Sequence, residues 1–469
     1  MIPIIINEWK ILLRVRVLVY LTLVFVASLV LVTWLGVIQN QKQQNQKQSA
    51  HKQVREQWEK LDAMNPHGAA HYGSYAFKPV TPLSSIDEGV NAITGNVLRL
   101  EGHVQNEIVF SEASQSLSVS KFGKLKPSLL LQYCIPLLLI FLAFSSVSSE
   151  KETGRLKLLV FQGASLPNLI LAKALSVWLY GFLLLTITVA VQTVINLKNT
   201  GAGNLERTLL LLVVYSAYYY IVCTLATYLS ARLKNNTVVL TAILSVWILW
   251  TIFLPKLWGN TTDKIYPLPS RQVFNDAMQI DRSKGIDGHN PTDEREEKLK
   301  QKILAQYKVD SVEQLPINYD GLLMQEDEEY GNLVWDKHFG SNNDILQKQK
   351  NVYQFSGFFN PFASLQSTSM GFCGSDMLHH VDFLKQAELY RRDFIKKLNN
   401  KHAYGGSKTG NWKWKANNAF YKSVQDFEYK SPLFGTAFGF YLIDIVCLAF
   451  WTILVTLIVT LTAKKIQLV

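Results

Sequence analysis

Two groups of side chains in this sequence have the types and spacing to bind a metal ion or to share protons. His67 and His71 lie four residues apart, a spacing that puts both imidazoles on one face of a helix. Cys373, Asp376, His379 and His380 form a second, ligand-type group that could capture a soft metal ion. Pro66 and Gly68 weaken the helix that would align the first pair. Structural hydrogen bonding or packing is therefore the expectation for both groups, with metal capture and direct substrate contact as alternatives. No resident metal is expected. A different kind of signal comes from Asp444, the one ionisable residue well inside an apolar stretch. A carboxylate in hydrocarbon costs ~2.5–3.5 kcal/mol or more unless paired or wetted, so Asp444 should face protein or a cavity. It lines either a translocation path or a dimer seam, or else sits near the interface at the start of its helix.

Catalytic signatures are missing. An ATP-hydrolysing chain needs a glycine-rich loop that wraps phosphate with backbone N–H groups and a lysine to hold it, and no G-x-x-x-x-G-K-[ST] run occurs. Neither a Gly-x-Ser-x-Gly elbow nor a His-Glu-x-x-His run is present. No catalytic residues and no cofactor are expected in this chain. The formal charge of +11 raises nucleic acid as a partner, but the basic residues are thinly spread, with no basic helix or aromatic RNA-binding motif. Nucleic-acid binding is set aside.

The elements that must position these residues are dominated by apolar stretches. With 48% hydrophobic and 18% charged residues and a mean hydropathy of +0.09, the 469-residue chain is too apolar for an ordinary soluble enzyme and too charged to consist of membrane spans alone. The pattern predicts a mainly α protein: an interfacial helix over 1–16 and six spans over 17–38, 128–148, 170–196, 208–230, 236–257 and 437–462. Lys10, Arg14, Arg16, Lys151, Arg155, Lys157, Lys173, Arg232, Lys234, Lys464 and Lys465 all fall on one side, which is therefore cytoplasmic and holds both termini. The first span exceeds the apolar run of a signal peptide and is expected to stay attached as an anchor. Residues 39–127 and 258–432, roughly 90 and roughly 175 residues, are too long to be loops and are expected to form two α-rich or mixed extracytoplasmic domains. The glutamine-rich run at 39–48 prolongs the first helix. Residues 381–398 form a helix with Phe383, Ala387, Tyr390, Phe394 and Leu398 on one apolar face, and Asp293 caps another. The acidic run 326–329 reads as a solvated face. Three of the four cysteines, Cys134, Cys223 and Cys447, lie in apolar stretches, so no disulfide framework is expected.

The short cytoplasmic loop, 149–169, runs Glu150-Lys151-Glu152-Thr153-Gly154-Arg155-Leu156 and continues to Leu159 and Gly163. It is charged, then amphipathic, then broken by glycine, which suits a short surface helix. Here the sequence resembles ABC-2-type transporter permeases, whose corresponding loop has the pattern Glu-Arg/Lys-Glu-x-Gly-Thr-Leu followed by Leu-Leu. Glu150, Glu152, Gly154, Leu156 and Leu159 match, and Arg155 stands where the family often has Thr. Glu8-Trp9-Lys10 with Arg14, the stretch from Asn65 to Pro79, and Asn360-Pro361 through His380 to Arg391 resemble a branch that carries two large outer insertions. Residues 265–354 match nothing recognisable.

The resemblance implies a permease subunit of the bacterial inner membrane that pairs with a second copy or a sister permease and binds two copies of a separate ATPase, which carry the ATP and magnesium. The loop, with Lys151 and Arg155 included, would be the coupling helix, and ATP-driven closure would push two such loops together. A mechanotransmission complex acting on an envelope partner is the first alternative. A membrane-anchored metal-binding protein or hydrolase using the outer histidines is the second.

Overall fold

A computed structural model describes residues 1–14, 16–61, 63–108, 125–195, 202–233 and 235–466. Residues 109–124 of the first insertion and residue 196, at the end of the third expected span, lie outside the described residues. Among the described residues, six helices are long and apolar enough to cross a membrane: Val19–Glu59, Pro127–Glu152, Leu166–Ile195, Leu205–Arg232, Asn236–Ile265 and Gly439–Lys465. The chain is mostly helical. Pro136 and Pro255 each follow a π turn, Leu130–Cys134 and Leu249–Phe253, the local widening that lets a helix absorb a missing N–H without ending.

The first helix, Arg16–Glu59, runs unbroken for 44 residues, so the glutamine-rich run is helical as expected. At 1.5 Å per residue it is ~66 Å long, about twice what a bilayer core of ~30 Å requires. Its far half is a stalk. Asn40 donates to the carbonyl of Thr81, Arg55 to the carbonyls of Val424 and Lys422 and to Asp426, and Trp58 Nε1 to the carbonyl of Tyr421.

The two insertions pack on this stalk and against each other. A two-stranded antiparallel sheet, β1 (Ser74–Phe77) and β2 (Val97–Leu100), comes from the first insertion, and its Ala76, Leu98 and Leu100 pack on Phe383, Ala387 and Phe427 of the second. A two-stranded sheet alone cannot bury enough surface to be stable, which explains the sharing. The helix Met377–Tyr404 contains the expected apolar face, with Phe383, Ala387, Phe394 and Leu398 buried. It lies along the 37-residue helix Tyr319–Phe355, and Arg391, held by Glu388 of its own helix, joins the two through Asn332 and Glu328. Glu328 is buried by this pairing and Asp327 meets Arg282, so the acidic run is not the solvated face its composition suggested. Asp293 sits in the first turn of Thr292–Tyr307 but does not cap it; Pro291 holds that position.

One element assigned to the second insertion lies elsewhere. The 12-residue helix Pro361–Phe372 is buried against the fourth and sixth spanning helices, where Phe362, Leu365 and Phe372 join the core of Tyr218, Ile135 and Leu448. Asn360 starts it, accepting from Phe362 N–H and donating to the carbonyl of Trp250. At ~18 Å it is too short to span.

Because Trp58 packs on Phe394 and Tyr421 at the centre of the stalk contact, Trp58→Ala should cost about 3–5 kcal/mol. The measurement is thermal unfolding in detergent with limited proteolysis, and the first new cleavages are expected at the stalk and around 412–426.

Candidate functional site

The matching loop is two short helices, Ser148–Glu152 and Arg155–Phe161, hinged at Gly154. Gly154 has φ 71°, a left-handed conformation that costs a side-chain-bearing residue but not glycine. Everything before the hinge is tied down. Ser230 Oγ accepts from the N–H groups of Val147 and Ser148, Ser148 Oγ donates to Asn236, and Asn236 Nδ2 donates to Glu152 at 3.2 Å. Lys173, only 2% exposed, sits between two carboxylates: Glu8 of the helix Ile2–Arg14 at 2.5 Å and Glu150 at 3.0 Å. A single buried ammonium thus joins the amino-terminal helix, the third spanning helix and the loop.

Past the hinge the helix is split in character. Leu156 is fully buried with Val147, Leu166, Ile170, Ala231 and Val459, and Leu159 packs at the edge of that cluster. On the other side Leu158 is 62% and Phe161 86% exposed. Of the sequence-predicted loop residues, Glu150, Gly154, Leu156 and Leu159 position the helix. Lys151 is half-buried, and Glu152 and Arg155 are exposed. The sequence reading missed Lys173 as a keystone, although a lysine so near the start of an apolar helix needs a partner, and it missed Phe161 as the exposed apolar tip.

Asp444 is fully buried, at the start of Leu442–Thr462. It accepts from Gln354 at 2.6 Å and from Ser367, on the buried short helix, at 2.8 Å. It therefore braces the short helix inside the chain. A neighbouring set does the same: Asp87 accepts from Gln132 at 3.0 Å and from Ser369 at 2.5 Å, and Tyr215 shares a hydrogen bond with Ser369 at 2.8 Å.

The second histidine group is not brought together as a ligand set. Cys373 is buried in the apolar core. Asp376 caps Met377–Tyr404, accepting from His379 N–H and its Nδ1, and receives the Tyr441 hydroxyl at 2.6 Å. Burial pushes the Asp376 carboxyl up, but His379, Lys350 and Tyr441 outweigh it and hold it well below the usual carboxylate range. Burial, helped by Lys78, lowers His380 to about 4, so it is neutral near pH 7. Beside this cap a recess of ≈ 570 Å³ opens, with Lys350, Tyr353, Lys385 and Phe440 in its wall.

The first pair is brought together. The helix Pro66–Tyr72 forms despite Gly68, because Asn65 accepts from His67 N–H and Pro66 occupies the first turn, where a missing N–H is harmless. His67 and His71 face each other with 3.1 Å between their Nε2 atoms. His103, which the sequence reading did not single out, joins them.

The family described as a domain of unknown function (DUF3526) matches residues 274–430, the second insertion, and the family described as a protein of unknown function (DUF2705) matches 102–266, from within the first insertion through the fifth spanning helix. The junction falls where that helix ends. No curated protein and no solved structure matches the chain.

Removing one member of a buried ion pair leaves the other charge uncompensated, at ~3–5 kcal/mol. Lys173→Ala should therefore lower stability by about that amount, and adding Glu8→Gln and Glu150→Gln should recover part of it. Thermal unfolding of wild type, Lys173→Ala, the two double variants and the triple variant checks this, and a Lys173→Ala variant as stable as wild type would refute the keystone role.

Proposed function

We propose that this chain is the membrane subunit of an ATP-driven machine, an ABC-2-type permease in the bacterial inner membrane with both termini in the cytoplasm. It pairs with a second copy or a sister permease, and two copies of a separate ATPase dock on its inner face. The observation that carries this reading is the loop helix Arg155–Phe161, anchored on one side by Leu156 and offering Leu158 and Phe161 to the outside on the other. A fixed helix with an exposed aromatic tip suits insertion into a groove on a partner. Its rigid tie through Glu150 and Lys173 gives a push on the tip a route into the third spanning helix. The concentration of lysine and arginine near this end supports its cytoplasmic placement.

Orientation then puts the composite body outside. Whether cargo crosses is a separate question, and the continuous helix from Arg16 to Glu59 favours a second reading in which ATP-driven motion is passed to the body to work on an envelope partner. The two readings share the loop and differ in what stimulates ATP hydrolysis: a transported substrate in the first, an envelope protein in the second.

The test is affinity purification from the native membrane in mild detergent, with mass spectrometry of co-purifying chains, for wild type and Phe161→Asp. An ATP-binding subunit recovered with wild type and reduced at least ~10-fold by the variant is expected, since a charge in an apolar groove removes a central contact. Recovery of no ATPase in either sample would overturn the reading, and equal recovery in both would remove Phe161 from the interface.

A further inference from the structure

His67 and His71 share one face of Pro66–Tyr72, and their rings stand edge to face with centroids 4.5 Å apart. His103 reaches the same point from the turn after β2, its ring centroid 5.2 Å from that of His71 and 5.5 Å from that of His67. One potential ligand atom from each of the three lies within 4.8 Å of the others. In a tetrahedral site with Zn–N bonds of 2.0–2.1 Å, ligand nitrogens stand ~3.3–3.4 Å apart, so small side-chain rotations bring the third ring to bonding distance.

The surroundings do what a metal site requires of its second layer. His103 Nδ1 lies 3.1 Å from Oε1 of Glu328, which fixes the ring and leaves Nε2 as the nitrogen it offers. Glu328 also accepts from the His103 backbone N–H, and Arg282 donates to the His103 carbonyl at 3.1 Å. Glu328 is itself buried and held by Arg391 at 3.0 Å. His71 is exposed, so the three nitrogens open to solvent on one side, where a fourth ligand can enter.

We propose that His67, His71 and His103 hold a divalent transition-metal ion of the zinc class, with Glu328 orienting His103 and the fourth position left to water or an exogenous ligand. Three neutral imidazoles are borderline donors that favour Zn²⁺ over Mg²⁺ or Ca²⁺. All three ligands belong to the first insertion while Glu328 and Arg391 belong to the second, so the ion would tighten the joint between the two. The inference is independent of whether an ATPase docks on the loop.

The test uses the full chain in detergent, stripped with a chelator and titrated with Zn²⁺ in competition with a chromophoric chelator, and separately with Co²⁺ to read its visible absorption. One Zn²⁺ per chain is expected, with intense Co²⁺ bands of a four-coordinate site. His71→Ala is the primary variant, because the exposed ring contributes little to packing. It should weaken Zn²⁺ at least ~10-fold and abolish the Co²⁺ bands, and His103→Asn should do the same. Saturating Zn²⁺ should raise the unfolding temperature of wild type and not that of His71→Ala. Equal Zn²⁺ affinity in wild type and His71→Ala would overturn the proposal, as would Co²⁺ bands that His71→Ala leaves unchanged.

Discussion

Lys173 has to be neutralised where it sits, and that need organises one whole end of the molecule. An ammonium buried among apolar helices is tolerated only with partners at hydrogen-bonding distance, and here both are carboxylates from other elements. Glu8 brings in the amino-terminal helix, and Glu150 brings in the start of the loop. Once Glu150 is fixed, the bonds to Ser230 and from Asn236 complete the tie, and the chain then turns through the left-handed conformation at Gly154. The helix that follows is then aimed by Leu156, and Phe161 projects, with no described residue covering it.

A second buried cation organises the other end. Arg391 is shared by Glu328 and Glu388, so the long helix Tyr319–Phe355 and the helix Met377–Tyr404 are locked side by side. Between the two ends lies the buried short helix Pro361–Phe372. Its serines face two carboxylates, Ser369 toward Asp87 and Ser367 toward Asp444, so it is bonded both to the first insertion and to the sixth spanning helix. Motion of the spanning helices therefore has a hydrogen-bonded route into the composite body as well as the direct one along the first helix. Neither route requires chemistry from this chain, in keeping with its proposed role as a mover.

Much of this was legible in the sequence because membrane spans leave the clearest trace a sequence can carry: long charge-free stretches, bounded by lysine and arginine. The stalk was legible too, since a glutamine-rich run without glycine or proline keeps a helix going. The buried short helix was not, because at 12 residues, rich in serine and threonine, it resembles a polar loop rather than a core element. The union of the two insertions was equally hidden, for contacts such as Trp58 on Tyr421 join residues far apart in the chain and have no local signature. Of the candidate site residues, the loop was singled out by its pattern, whereas Lys173 was read only as part of a charge bias. His103 escaped notice because a lone histidine in a turn carries no spacing to read; His67 and His71 carried one, and only the fold supplies the third ring.

The central claim is that Phe161 lies on the cytoplasmic face, where a partner covers it. The most direct measurement is labelling of Phe161→Cys with a membrane-impermeant maleimide, in spheroplasts and in inside-out vesicles, with the wild-type chain as background and His71→Cys reporting the opposite face. The account predicts labelling of the Phe161 variant only in inside-out vesicles, reduced when the ATPase is bound, and labelling of the His71 variant only in spheroplasts. Labelling of the Phe161 variant in spheroplasts would contradict it.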